Sequence, residues 1–478
     1  MTAPGLFWLS RDFRFADNPA LAAACTDGPL LAVFCVDDLL MSQGAASRWR
    51  LEQALRAFDA ALRKRTGGRG VLVLRGEPDR ILPALVQNTG AQRIHQSDWP
   101  TAGMRAVQDR LRAALAPLGA GLELHGGHLL AHPAMLRSGA GTPYRVYTPF
   151  ARALRQHGAD RPGRDAPARI TPCADDHQGL AIETLDLAPD MHRGRALLAK
   201  FALPAGAQQA EARLDTFLDQ AAVYPAGRDH PDQPATSNLS EHLALGEISP
   251  RRIWAIASLR AAAEPALAPG ITKFLSEVIW REFSWHLLIA NPDLPTQPWR
   301  QEWSEFPWQQ RTSALSRWEQ AATGISLVDA GLREMRVTGR MHNRVRMVVA
   351  SWLTKHMMTD WRLGLQHFAD SLTDWDPAAN AMNWQWVAGC GPDASPYFRI
   401  FNPVKQAEEF DKKGIYRRKW LAGFDGSAAP EAIAYHDSLP TDWHVARHWR
   451  EDASDERLRG GREAALDAYN WFRSERAA

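Results

Sequence analysis

At 478 residues the chain is too long for one ordinary core, and at about 150 residues per domain it predicts two or three domains. Its 45% hydrophobic and 23% charged residues describe a globular protein and exclude a disordered or fibrous one. A formal charge of only +2 confines any nucleic-acid surface to a local patch, and four cysteines without a CxxC pair argue against a disulfide framework, a zinc site or an iron–sulfur cluster.

The N-terminal run LFWL is followed at once by Arg11 and Asp12, and no long uncharged stretch occurs, so neither a secretory leader nor a membrane span is expected and a cytoplasmic location is. Short apolar runs at 6–9, 30–36, 71–74 and 122–124 alternate with the amphipathic segments SRWRLEQALRAFDAALRKR and GMRAVQDRLRAAL. That alternation predicts parallel βαβ units over 1–130, although no GxGxxG follows a candidate strand. Residues 131–205, rich in Pro, Gly, Ala and Arg, read as a connector between domains. Helical periodicity dominates 206–425, and 426–478 is charged, weakly patterned and expected to be a surface extension. Tryptophan divides the halves: three of 19 precede residue 250, and sixteen follow.

Within the helical half, PATSNLSEHL gathers the hydroxyls of Thr236, Ser237 and Ser240 at an expected helix start, with Asn238 and Glu241 spaced as a capping pair. Such a start is either a plain cap or an anion site. In FLSEVIWREFSWHLL, the residues Glu277, Trp280, Arg281 and Ser284 fall on one helix face, where Glu277 and Arg281 read either as a surface ion pair or as part of a site. The segment GLREMRVTGRMHNRVRMVVASW places Arg336, Arg340, Asn343, Arg344 and Met347 along one face of the next expected helix, with Arg346 pointing elsewhere. Guanidinium groups interleaved with Asn, Met and Trp suit nucleic acid, since they hold phosphate while flat groups stack on bases. The run from Asp374 to Trp386 is too polar for core; Asp374 and Asp376 read as caps or a metal pair, but no third ligand sits at metal spacing, and they are expected rather to accept hydrogen bonds from a ligand. No HExxH or GxSxG occurs, which leaves redox or photochemical work.

The motifs TSNLS, SEVIWREF, GRMHNRVRM, DWDPAANAMNWQW and PYFRIFNP closely resemble those of the photolyase and cryptochrome family, above all its class I cyclobutane pyrimidine dimer branch. The likeness runs from LFWLSRDFRFADNPAL through YRVYTPF to YRRKW and leaves out the last fifty-odd residues. It implies a Rossmann-like α/β antenna-type domain followed by an all-α domain that binds FAD without a covalent bond, and a monomer that acts on DNA containing pyrimidine dimers.

By that resemblance Tyr224, Thr236, Ser237, Asn238, Leu239 and Ser240 bind the flavin's phosphates and ribityl chain, Arg346 and Asp374 pair beside its rings, and Asp376 and Asn380 face its polar edge. The amide of Asn380 resembles repairing members; plant cryptochromes tend to carry an acid there and insect ones a cysteine. Glu277, Trp280, Asn343, Arg344, Met347 and Trp386 match positions lining the dimer cavity, with Glu277 protonated or sharing a proton there, and Arg228 matches one that reaches DNA. Trp384, Trp361 and Trp308 match the family's electron-transfer chain. Departures stand at Ser326 and Arg340. A folate antenna is not expected, because its contacting pairs are replaced at Thr101 and Ala102 and at Pro295 and Thr296, so any second chromophore is left unidentified. The competing readings are a flavin-binding blue-light sensor that repairs nothing, and a DNA-binding module without cofactor.

Overall fold

The computed structural model describes residues 3–174, 177–191, 193–393, 399–426 and 428–476, so the PYF of PYFRIFNP lies outside the described residues. Five parallel strands, β1 (Gly5–Trp8), β2 (Leu30–Val36), β3 (Leu72–Arg75), β4 (Arg93–Ser97) and β5 (Gly121–His125), form one sheet in the order β3-β2-β1-β4-β5. Every residue of β1 and β2 is buried, as helices on both faces of a parallel sheet require. The two amphipathic segments become the Ala45–Thr66 and Ala102–Leu115 helices. β4 is not among the expected strands: its sequence RIHQS has one aliphatic residue, yet His95, Gln96 and Ser97 are buried.

In the expected connector, the Tyr147–His157 helix packs on the long Ala268–Ala290 helix, and the Leu130 amide donates to buried Glu282 at 2.9 Å. Beyond it the chain is helical. The single helix expected across Arg336 to Met347 is two, Ser326–Thr338 and Asn343–Ser351, because Gly339 turns left-handed (φ 73°) and ends the first. A Cβ on Gly339 would also crowd the Thr373 side chain. Arg336 is therefore turned away to the Ser438 carbonyl and Arg340 to that of Phe201. The segment after 425 does not hang free: the Asp455–Ser474 helix lays Phe472 and Tyr469 on Trp303, and Trp449 donates to Asp329. Among the described residues no helix is long and apolar enough to cross a membrane.

The two halves are joined through buried charge. Arg50, 1% exposed on the Ala45–Thr66 helix, reaches Glu241 at 3.0 Å and Glu247 at 2.6 Å, and His242 bonds the same Glu247 carboxylate. Asp17 of the α/β half likewise takes Arg251 at 2.6 Å and Ser249. Burial would raise the Glu247 carboxyl, but Arg50 and His242 outweigh it and hold it at about 2, below its ordinary 4.5. A depressed carboxyl contributes stability that is complete above 4.5 and is lost as pH falls toward 2. Glu247→Gln is expected to cost about 3–5 kcal/mol, since Arg50 then keeps a buried charge with one partner fewer. Melting followed across acid pH checks this: the wild type loses stability through that window and the variant, weaker throughout, shows a shallower loss.

Candidate functional site

Candidate groups gather where the Ala268–Ala290, Asn343–Ser351 and Pro377–Ala388 helices meet. The Thr236–Ser240 loop carries Asn238 at φ 51°, and helix Ser240–Leu245 starts without a side-chain cap. The expected Asn238/Glu241 capping pair does not form, because Glu241 turns inward to Arg50 and to the Thr373 hydroxyl at 2.7 Å. That leaves the Thr236, Ser237 and Ser240 hydroxyls without a protein hydrogen bond among the described residues, a donor set suited to an anion such as a pyrophosphate. Leu239 is buried beside them. Tyr224 is core, against Phe217 and Phe274, with its phenol pushed up to about 12 by burial.

Arg346 holds Asp374 through one nitrogen, at 2.8 and 3.0 Å, and donates to the Met341 carbonyl. Asp376 caps the Pro377–Ala388 helix. It takes the Ala378 and Ala379 amides on one oxygen and the Trp285 indole, at 2.9 Å, on the other. Pro377 at the first helical position makes that Asp-Pro start a cap by its own chemistry. Asn380 donates to the Leu365 carbonyl at 3.1 Å, which fixes its amide and leaves its oxygen free to accept.

A second group lies on the other side of the Asn343–Ser351 helix. Glu277 and Arg281 do not pair: Glu277 takes Arg228 and, at 3.2 Å, Lys273, while Arg281 binds His128. Glu277 is 30% exposed, with two cations as partners. Burial would lower the Arg228 guanidinium, but Glu277 outweighs it and raises it. Asp229 lies 3.8 Å from Arg228 and 3.0 Å from Arg344, so one carboxylate bridges both cations. Sequence reasoning passes over Asp229; its only signal is adjacency to Arg228. Arg344 also sits over the Phe410 ring, and His342, lowered to about 4 by burial, caps the helix with a neutral ring. Asn343 is exposed and Met347 half-buried on this helix. Trp280 is half-buried and stacks flat on Tyr147, centroids 3.5 Å apart at 2°, a partner whose only sequence signal is the YRVYTPF motif. Trp386, also half-buried, donates to the Asp393 carbonyl.

Trp384 and Trp361 are buried and Trp308 is 9% exposed. Gln309 pairs with Thr359 in a short parallel bridge, which sets Trp308 beside the start of the Trp361–Ser371 helix. That helix packs on Pro377–Ala388, with Gly364 against the Trp384 ring, so the three indoles follow one another across three adjoining segments. Of the departures, Arg340 has its Nε 3.9 Å from Glu241, within the charge network, whereas Ser326 is buried at a helix start beside Arg417. Thr101 caps a helix in the α/β half, Ala102 begins it, and Thr296 bonds locally after Pro295.

Residues 5–169 match the DNA photolyase family model, and 274–454 match that of the FAD binding domain of DNA photolyase, so likeness extends past the YRRKW segment. A deoxyribodipyrimidine photo-lyase of Agrobacterium fabrum is 40% identical over 88% of this chain and 87% of its own length. A bacterial class III photolyase from Agrobacterium tumefaciens superposes with a TM-score of 0.88 at 36% identity, covering 99% of this chain and 98% of that one. A Synechocystis cryptochrome superposes with a TM-score of 0.82 at 26% identity, covering 97% and 99%.

Gly364→Ala drives a methyl into the Trp384 indole and the Leu353 side chain. Such overpacking costs about 1–3 kcal/mol. The expected outcome is a lower melting temperature with altered near-ultraviolet circular dichroism from the displaced indole.

Proposed function

The chain belongs to the DNA photolyase family, and from that premise we propose that it repairs cyclobutane pyrimidine dimers in DNA under light, with non-covalent FAD in its helical half. The observation that carries this reading is the placing of Arg344 and Arg346 two residues apart on one helical turn, held on different sides by Asp229 and Asp374. One helix thereby serves two neighbouring sites.

The residues fit FAD. The free hydroxyls of Thr236, Ser237 and Ser240 match its pyrophosphate, the Arg346–Asp374 pair and Asn380 suit the polar edge of its rings, and Asp376 contributes indirectly by starting the helix that carries Asn380. Held there, FAD would supply light-driven one-electron chemistry with no net redox change.

Trp280 and Trp386 give a dimer flipped out of the duplex two flat apolar walls, with Tyr147 fixing the plane of the first. Flipping is required because a base still stacked in a duplex cannot reach a buried reactive group, a constraint common to photolyases and other enzymes that do chemistry on bases. Glu277 is placed to accept a hydrogen bond from the dimer once Arg228 turns to phosphate, and Arg344 holds phosphate nearby. Asn343 and Met347 complete that face. Trp384, Trp361 and Trp308 form a relay by which the chain takes electrons inward from its surface.

Purified protein illuminated with dimer-containing DNA tests the proposal: dimers are lost in the light and kept in the dark. A flavin spectrum without repair supports instead the blue-light sensor, which the cryptochrome likeness also favours, and colourless protein supports a cofactor-free DNA-binding module. Trp280→Ala is expected to weaken dimer-DNA binding by about 1–3 kcal/mol through lost stacking. Arg344→Ala weakens binding to damaged and undamaged DNA alike and lowers the salt slope by about 1.

A further inference from the structure

The edge of the sheet in the α/β half carries a second cluster with its own chemistry. We propose that His95, Glu123 and His125 bind a divalent transition-metal ion of the zinc type. β4 and β5 run parallel in a register that sets His95 opposite Glu123, and His125 follows two residues later on the same face. One ligand atom from each lies within 4.8 Å of the others. His95 Nδ1 is 2.9 Å from His125 Nε2 and 3.5 Å from Glu123 Oε2. A tetrahedral ion with bonds of about 2.0–2.1 Å needs ligand atoms about 3.4 Å apart, so the carboxylate already stands at that spacing and the two rings need to part by about half an ångström.

The neighbouring groups prepare the ligands. Asp27, at the end of the Pro19–Asp27 helix, lies 2.8 Å from His95 Nε2. It accepts that nitrogen's proton and leaves the Nδ1 lone pair aimed at His125, the carboxylate–histidine arrangement that orients metal ligands. With no ion, the short contact between the two imidazoles is bridged by the proton on His125 Nε2; when an ion binds, His125 shifts that one proton to Nδ1 and its freed Nε2 becomes a ligand. Arg93 holds Asp27 at 2.6 Å and lies 3.7 Å from the Glu123 Oε1, so the other carboxylate oxygen stays turned to the histidines. Two imidazoles and one carboxylate select zinc-like ions over magnesium or calcium, which require oxygen. His95 is buried while Glu123 is 45% exposed, which gives the ion a solvent-side approach and a fourth position for water. Because β5 is an edge strand, the ion clips it to β4 and to the Pro19–Asp27 helix.

The test is Zn2+ titration of the full chain with its cofactor oxidised, against a chromophoric chelator, with Co2+ visible absorption to report geometry. One equivalent of Zn2+, tetrahedral Co2+ bands and a raised melting temperature are expected. His125→Ala and the more exposed Glu123→Gln each abolish that equivalent, and Asp27→Asn weakens it about 10–100-fold. The proposal is overturned if the wild type takes up no Zn2+, if the variants bind as the wild type does, or if Mg2+ or Ca2+ competes at equal concentration. In that case the cluster is only a hydrogen-bonded network.

Discussion

Arg50 is a guanidinium sealed from water between the two halves of the molecule, and a charge in that position is tolerable only with its partners in place. Those partners are Glu241 and Glu247, which lie immediately after the Thr236–Ser240 loop. Glu241 in turn receives Thr373, the neighbour of Asp374, whose carboxylate holds Arg346. A single line of buried bonds thus runs from the sheet domain to both sides of the proposed flavin site. Asp17 with Arg251 and Ser249 makes a second crossing, and Arg14 adds bonds to the carbonyls of Gly246 and Gly127. The α/β half is part of the frame that sets the helical half, quite apart from any chromophore it carries.

Within that frame the tryptophans separate by environment. Trp280 and Trp386 are half-buried, fixed by Tyr147 and by the Asp393 carbonyl, and keep ring surface for a ligand. Trp384, Trp361 and Trp308 are packed instead into the core of the helical half. The terminal helix covers the outer end of this series through Trp303 and Phe306, so residues that read as a loose tail control how far that end meets solvent.

Much of this is legible in the sequence, for local reasons. Alternating apolar runs mark four of the five strands, and the excess of tryptophan after residue 250 marks the helical half. The motifs name the groups that the helices bring together. What escapes depends on distance or on a competing local rule. β4 is invisible because its burial serves polar residues, and with it goes the pairing of His95 to Glu123 and His125. The break at Gly339 is hidden because the apolar period continues in phase across it, although glycine before Arg340 is the ordinary sign of a left-handed helix end. The cap at Asp376 is legible too, since Pro377 beside it specifies a helix start. The Arg228 partner of Glu277 and the Arg50 partner of Glu241 come from 49 and 191 residues away, beyond the reach of any spacing rule.

The role of Arg50 is tested most directly by flavin content per chain after Arg50→Lys, which keeps the charge but cannot span two carboxylates. Helical circular dichroism serves as the control for folding. With the fold retained, flavin is expected to be lost and light-dependent repair with it, because Glu241 and Thr373 no longer hold the Thr236–Ser240 loop and Asp374 in register. Full flavin content with undiminished repair would contradict that role.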